Sequence, residues 1–205
     1  MKITWYGHSC FLVESAEGSL VFDPYAPGSV PGLSLPELRA DALICSHAHA
    51  DHAYADGVSL SGRAPSFKLH SLDTWHDELG GQMRGANTMT VLEAEGLRVL
   101  HMGDLGHMLS AQELSALGRV DVLLIPVGGY YTIDARQAAE LARLIAPGIS
   151  VPMHYRGEGF GYDVIGGVEE FLALMGGREE RLSVSSFDPV QLEKPVTLIL
   201  TCPHC

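Results

Sequence analysis

Residues Ser46-His47-Ala48-His49-Ala50-Asp51-His52 gather three imidazoles and a carboxylate, separated by alanines too small to block them. Imidazole nitrogen and carboxylate oxygen are donors that a zinc-type divalent ion takes. In extended backbone, residues two apart share a face, so His47 and His49 can grip one ion. If the chain then turns into a helix, Asp51 and His52 project to a neighbouring position suited to a second. The bland alternative is a solvated histidine-rich loop, which needs four ligand-type residues to meet by accident behind a buried strand. Four residues cannot close two sites, because a catalytic zinc typically takes three protein ligands and keeps a position open. Three later residues stand at strand ends beside turn residues: His76 in Thr74-Trp75-His76-Asp77, Asp104 in His101-Met102-Gly103-Asp104, and His154 in Val151-Pro152-Met153-His154-Tyr155. Singly, each has an ordinary reading as a hydrogen-bonded histidine or a capping aspartate; after the 47–52 run they complete a pair of sites.

Other stretches carry weaker signals. Gly128-Gly129-Tyr130-Tyr131-Thr132 falls between a buried strand and a helix, where backbone amides can hold an anion, or where a turn merely packs. Arg156 and the glycine-rich stretch 157–167 could form a mobile rim over the site, and Arg84 could supply a cation for substrate. In Thr201-Cys202-Pro203-His204-Cys205 the potential ligands are too close together to wrap one tetrahedral ion, so a tail without function is expected.

The elements that must position these residues begin as strands. Ile3–Tyr6, Cys10–Glu14 and Ser19–Phe22 are short β-rich runs, the last closed by Asp23-Pro24, and Ala42–Cys45 delivers the histidine run. Asn87–Ala94 and Leu97–Met102 flank Glu95-Gly96 and predict a hairpin. In the second half the period changes. Asp134 with Gln137 predicts a capping box, and Ala138, Leu141, Ala142 and Ile145 give one apolar stripe that Pro147-Gly148 ends. Asp121–Pro126 and Ile149–Pro152 are buried strands on either side, Val168–Met175 is a helix, and Val196–Leu200 is a last strand. Strands first, then strand–helix alternation, place sheets in the middle and helices outside.

A chain of 205 residues, 46% hydrophobic and 19% charged, fits one domain over 1–205 and excludes a mostly disordered polymer. Thirteen Lys and Arg against 25 Asp and Glu leave a net charge of −12, which argues against nucleic acid or an anionic membrane as a bulk partner. Ten histidines are what such a composition does not explain. Cys10 and Cys45 lie in apolar runs and read as buried, reduced thiols. Without a leader pattern or an apolar run of roughly 18 residues, a cytoplasmic protein is expected.

The sequence resembles the metallo-β-lactamase-fold hydrolases in the order of His-x-His-x-Asp-His at 47–52, one His at 76, Gly103-Asp104, and His154 on a late strand. Trp5-Tyr6-Gly7-His8-Ser9-Cys10-Phe11 and Phe22-Asp23-Pro24-Tyr25 look closest to the ascorbate-6-phosphate lactonase-like branch. The resemblance implies an α/β fold, a four-layer αββα sandwich, holding two divalent ions: zinc, with manganese or iron as alternatives. It implies that His47, His49 and His76 hold the first ion, that Asp51, His52 and His154 hold the second, and that Asp104 bridges both. His70 and His101 are rivals to His76. The implied reaction is hydrolysis of a small ester, lactone or phosphoester by a metal-bound hydroxide, with Asp51 orienting it and taking its proton. His107 is then the candidate proton donor, with a surface histidine as the alternative; His8 and His101 are candidates near the ligands or facing substrate. The expected partner is a small molecule, anionic substrates included. Two other classes fit the same frame: a di-iron oxidoreductase, which would need an electron donor, and a non-catalytic metal-binding protein.

Overall fold

The computed structural model describes residues 1–202, so Pro203, His204 and Cys205 of the tail motif lie outside the described residues. In chain order the elements are β1 (Lys2–Trp5), β2 (Phe11–Ser15), β3 (Gly18–Phe22), β4 (Leu38–Ala40), β5 (Ala42–Ile44), β6 (Val58–Leu60), β7 (Lys68–Trp75), β8 (Ala86–Ala94), β9 (Leu97–His101), α1 (Ala111–Leu117), β10 (Val122–Pro126), α2 (Ala135–Ile145), β11 (Ile149–Met153), α3 (Glu169–Met175), β12 (Glu179–Arg181), β13 (Ser186–Phe187) and β14 (Val196–Ile199). The expected strands and helices are all present, with ends shifted by a residue or so.

A five-stranded sheet runs β13-β1-β2-β3-β5 and a seven-stranded sheet runs β12-β14-β11-β10-β9-β8-β7. In the first, β1, β2 and β3 form an antiparallel meander, and β5 joins β3 in parallel with Phe22 opposite Ile44. In the second, β9, β10, β11 and β14 are parallel, and the β7–β8 and β8–β9 pairs are antiparallel. Ile3, Trp5, Phe11, Leu20 and Phe22 of the first sheet share one core with Met89, Val99, Leu100 and Leu124 of the second. β10 and β11 are buried along their whole length, because the partner sheet covers one face and helices the other.

α2 supplies that outer cover. Asp134 accepts from the Arg136 and Gln137 amides, Gln137 caps back onto the Asp134 amide, and the stripe Ala138, Leu141, Ala142 is buried. The layer outside the five-stranded sheet is different in kind. There Tyr25, Val30 and Leu33 from the loop after β3 pack with Leu38, Ala40 and Val58 of the β4–β6 ribbon. No helix among the described residues is long and apolar enough to cross a membrane. Cys10 is buried and Cys45 half-buried, both free.

The topology gathers the carboxyl ends of β3, β5, β7, β9 and β11 on one rim. The chain leaves these ends at Asp23, Cys45, His76, Met102 and His154. A site built there stands on short loops anchored by buried strands.

Candidate metal centre

The 46–52 segment is a compact turn, not the entry to a helix. The amides of His52 and Ala53 both donate to the His49 carbonyl, at 2.9 and 3.0 Å. This turn still brings His47 and His49 together, with ring centroids 4.6 Å apart, and the His76 ring lies 4.7 Å from His47 and 5.2 Å from His49. His47, His49 and His76 thus offer one convergent set of nitrogens, and His8, Asp51, His52 and His154 offer a second. Between them sits Asp104, whose Oδ2 is 3.3 Å from His52 Nε2, 3.3 Å from His76 Nε2 and 3.1 Å from His154 Nε2.

The donor set fits divalent ions. Nε2 of His8, His47, His52 and His154 and Oδ1 of Asp104 are buried and lack a hydrogen-bond partner among the described residues. An unpaired buried polar group costs about 1–3 kcal/mol, so a cluster of them facing one another marks a site completed by a ligand.

Charge follows the same logic. Burial, reinforced by His52, lowers His47 to about 3, and burial with His154 lowers His8 to about 4, so both are held in the neutral, ligating form. Burial opposes ionisation of Asp104, but His154 and His52 drive its carboxyl well below the usual carboxylate range. Burial would also lower His52; Asp104 on one side and Asp23 on the other raise it well above its ordinary value.

Asp23 is a functional residue that sequence reading used only as a turn marker. It is fully buried, and its Oδ2 lies 2.8 Å from His52 Nδ1, leaving His52 Nε2 to face the cluster. The same carboxylate accepts from the Ser46 amide at 2.7 Å and the Ser46 hydroxyl at 2.6 Å, tying the start of the histidine turn to the end of β3. Asn87 does the same for Asp104. Its Oδ1 accepts the Asp104 amide at 2.8 Å, and its Nδ2 donates to Thr74 Oγ1 and the Met102 carbonyl. Close approach enforces glycine at 103, where φ is +56° and a Cβ would stand 2.3 Å from Asn87 Oδ1. Three other residues beside the cluster adopt left-handed backbone without being glycine: His8 (φ 50°), Asp23 (φ 44°) and His154 (φ 51°).

Two expected catalytic residues are turned to other work. His101 Nε2 donates to the Ser9 carbonyl at 2.8 Å and its Nδ1 accepts the Gly103 amide at 3.1 Å, while its ring stacks on Phe22. It faces the core, positions the turn that carries Asp104, and does not face substrate. His107 is likewise committed, with Nδ1 donating to the Met108 carbonyl and Nε2 accepting the Trp75 amide, so neither nitrogen is left to donate a proton to substrate. His70 is exposed on β7 beside Glu93, away from the cluster. His8 lies against the ligands, its Nε2 3.4 Å from Asp51 Oδ2 and its ring 4.1 Å from that of His154.

A cavity of about 240 Å³ opens over His49, Asp51, His76 and Asp104 and is walled by Arg84, Tyr131 and Tyr162. The 157–167 stretch does form a rim, but a pinned one: Gly161 donates to Pro31, Gly166 to Gly128, and the Tyr162 hydroxyl lies within hydrogen-bond distance of Ser29 O and Asp51 Oδ2. Arg156 is exposed and donates to Asp163 O. In the 128–132 turn the Gly129 amide donates to Ile133 O and the Tyr131 amide to Gly129 O, leaving neither to an anion. Tyr131 and Tyr162 stand in no ligand-like pattern, and the sequence points to them only through the 128–132 turn and the 157–167 rim.

Tyr162→Phe removes one of the groups holding Asp51 without touching a ligand nitrogen. The expected result is a fall in kcat of about tenfold, the worth of a hydrogen bond to a charged group, with metal content unchanged by mass spectrometry. Loss of metal in this variant would instead make Tyr162 part of the ligand scaffold.

Comparison with known proteins places this arrangement. The "Beta-lactamase superfamily domain" family matches residues 2–154. A UPF0173 metal-dependent hydrolase of Archaeoglobus fulgidus is 31% identical over 194 residues, covering 76% of this chain and 83% of its own. One from Thermoplasma acidophilum is 28% identical and covers 97% of this chain and 99% of its own. A crystal structure from Thermotoga maritima, named as a candidate Zn-dependent hydrolase of the metallo-beta-lactamase superfamily, superposes with a TM-score of 0.74 at 32% identity, covering 98% of this chain and 99% of that one.

Proposed function

The chain belongs to the metallo-β-lactamase superfamily, and from that premise we propose that it is a metal-dependent hydrolase holding two divalent ions, zinc first among them, and cleaving a small ester, lactone or phosphoester. The observation that carries this reading is the buried Asp104 carboxylate set against the imidazoles of His52, His76 and His154, with ligand atoms on both sides of it. Relatives named metal-dependent hydrolases support the reaction class.

Bound divalent ions supply Lewis acidity toward a substrate oxygen and lower the pKa of a water to about 7. The rest falls to the chain. His47, His49 and His76 hold one side of the centre and His52, His154 and Asp51 the other, with Asp104 between. Asp51 is held ionised: burial would raise its carboxyl, but the neighbouring His8 and His52 rings bring it down. Its Oδ2, between His8 Nε2 and Tyr162 Oη, is placed to orient the attacking group and to receive a proton. Tyr131, Tyr162 and Arg84 form the walls against which a small substrate seats, an anionic one included.

The test joins metal analysis to turnover. Purified protein is expected to carry about two ions per chain, one on each side of the Asp104 bridge. A screen of lactones, carboxylic esters, phosphomonoesters and phosphodiesters with zinc, manganese and iron forms is expected to give hydrolysis of at least one class. A single tightly bound ion in wild type would end the two-ion reading; no hydrolysis in any metal form would end the hydrolase reading.

A further inference from the structure

Arg98, Arg178 and Arg181 engage carboxylates, whereas the guanidinium groups of Arg39 and Arg84 have no ion pair or hydrogen bond among the described residues. Of these two, Arg39 is exposed on β4 and Arg84 lines the cavity over the ligand cluster. Arg84 is half-buried, and its Cζ lies 5.7 Å from the centroid of the Tyr131 ring. Both residues wall the cavity over the ligand cluster, and both also border a second, outer groove of about 440 Å³. They divide the two spaces.

The backbone that carries Arg84 is tied down at unusual density. Asp77 Oδ1 accepts the amides of Leu79 and Gly81 at 2.8 and 3.0 Å, and Oδ2 accepts those of Met83 and Arg84 at 3.0 and 2.8 Å. The His76 amide donates to Gly85 O, closing the loop at its base. One carboxylate therefore fixes Arg84 relative to His76 at the other end of the loop. A charged donor held in place beside a cavity, with no partner supplied by the chain, is a preorganised half of an ion pair. Asp51 and Asp104 are the carboxylates on that cavity wall, and their charge is directed to the ions. This leaves the guanidinium for substrate.

We propose that Arg84 is the anion-recognition residue of this site, binding a peripheral carboxylate or phosphate of the substrate where the inner cavity meets the outer groove. The proposal rests on the hydrolase reading for its setting. It defines the substrate class as anionic molecules whose charged group lies beside, and is not part of, the bond that is cleaved.

The test uses a matched pair of esters, 4-nitrophenyl butyrate and mono-4-nitrophenyl succinate, which share a leaving group and differ in a terminal methyl or carboxylate. In the metal-loaded enzyme, Arg84→Gln is expected to lower the kcat/KM ratio of charged over neutral ester by about tenfold or more, and Arg84→Lys to restore part of it. Calorimetric titration with succinate and with inorganic phosphate is read on the same samples, and the one weakened more in Arg84→Gln identifies the preferred anion. An unchanged ratio, or loss of metal in Arg84→Gln, overturns the proposal. If wild type hydrolyses neither ester, the hydrolase reading is left to the full substrate screen and fails only if that screen gives no hydrolysis. The titration then decides for Arg84: anion binding weakened about tenfold in Arg84→Gln sustains the assignment, and equal or absent binding removes it.

Discussion

Asp104→Ala is expected to strip the centre of at least one of its ions and to lower turnover by about three orders of magnitude. Its Oδ2 lies within 3.3 Å of imidazole nitrogens from both halves of the cluster. On the proposed two-ion reading, losing it removes the group that would hold the ions together, and with them several kcal/mol of transition-state charge stabilisation, at about 1.4 kcal/mol per decade of rate. The substitution is clean in the backbone, because the Asp104 amide is held by Asn87 Oδ1 whatever its own side chain is. Mass spectrometry of metal content beside steady-state rates checks both parts. Full retention of both ions would show that the two halves bind independently and that Asp104 does not bridge.

Asp23→Ala is expected to damage stability and metal binding together. Three buried donors, the Ser46 amide, the Ser46 hydroxyl and the His52 ring, lose their shared acceptor. Removing one partner of a buried charged network costs about 3–5 kcal/mol. Loss of the group that orients a ligating histidine costs about 10–100-fold in metal affinity. Denaturant unfolding of the metal-free chain reads the first effect and chelator competition reads the second. A variant with unfolding free energy within about 1 kcal/mol of wild type, well under the cost of a broken buried network, would contradict the role given to Asp23.

The sequence was most readable where one local pattern decides the outcome. Alternating β-rich runs marked the meander, and the Asp134/Gln137 pair marked the start of α2 as the structure has it. β7 escaped because it is an edge strand exposed for most of its length and carries no clean alternation. The Ser110/Glu113 capping box that opens α1 is an equally local pattern. At the site, residues of ligand type in dense spacing drew the eye to His47, His49, Asp51 and His52, and the structure sets His76, Asp104 and His154 beside them. What could not be read was direction. His101 and His107 have the right type and neighbourhood, yet backbone partners contributed by distant segments consume their nitrogens. Asp23 and Asn87 act through contacts 29 and 17 residues away, which no spacing rule reports.

The left-handed backbone at His8, Asp23 and His154 also bears on how this protein can be altered. Each such residue stores about 1 kcal/mol or more of conformational strain that glycine would relieve. The side chains at these three positions are among those that define or orient the cluster, so the strain cannot be released without giving up a working group. At His8 and His154 a search that rewards heat resistance alone will therefore drift toward glycine and return sturdier proteins that are chemically idle, whereas at Asp23 the three buried donors it satisfies outweigh the strain. Robustness has to be sought elsewhere, in the α2–α3 layer and the exposed edge at β7, where sequence is free to change without the rim being consulted.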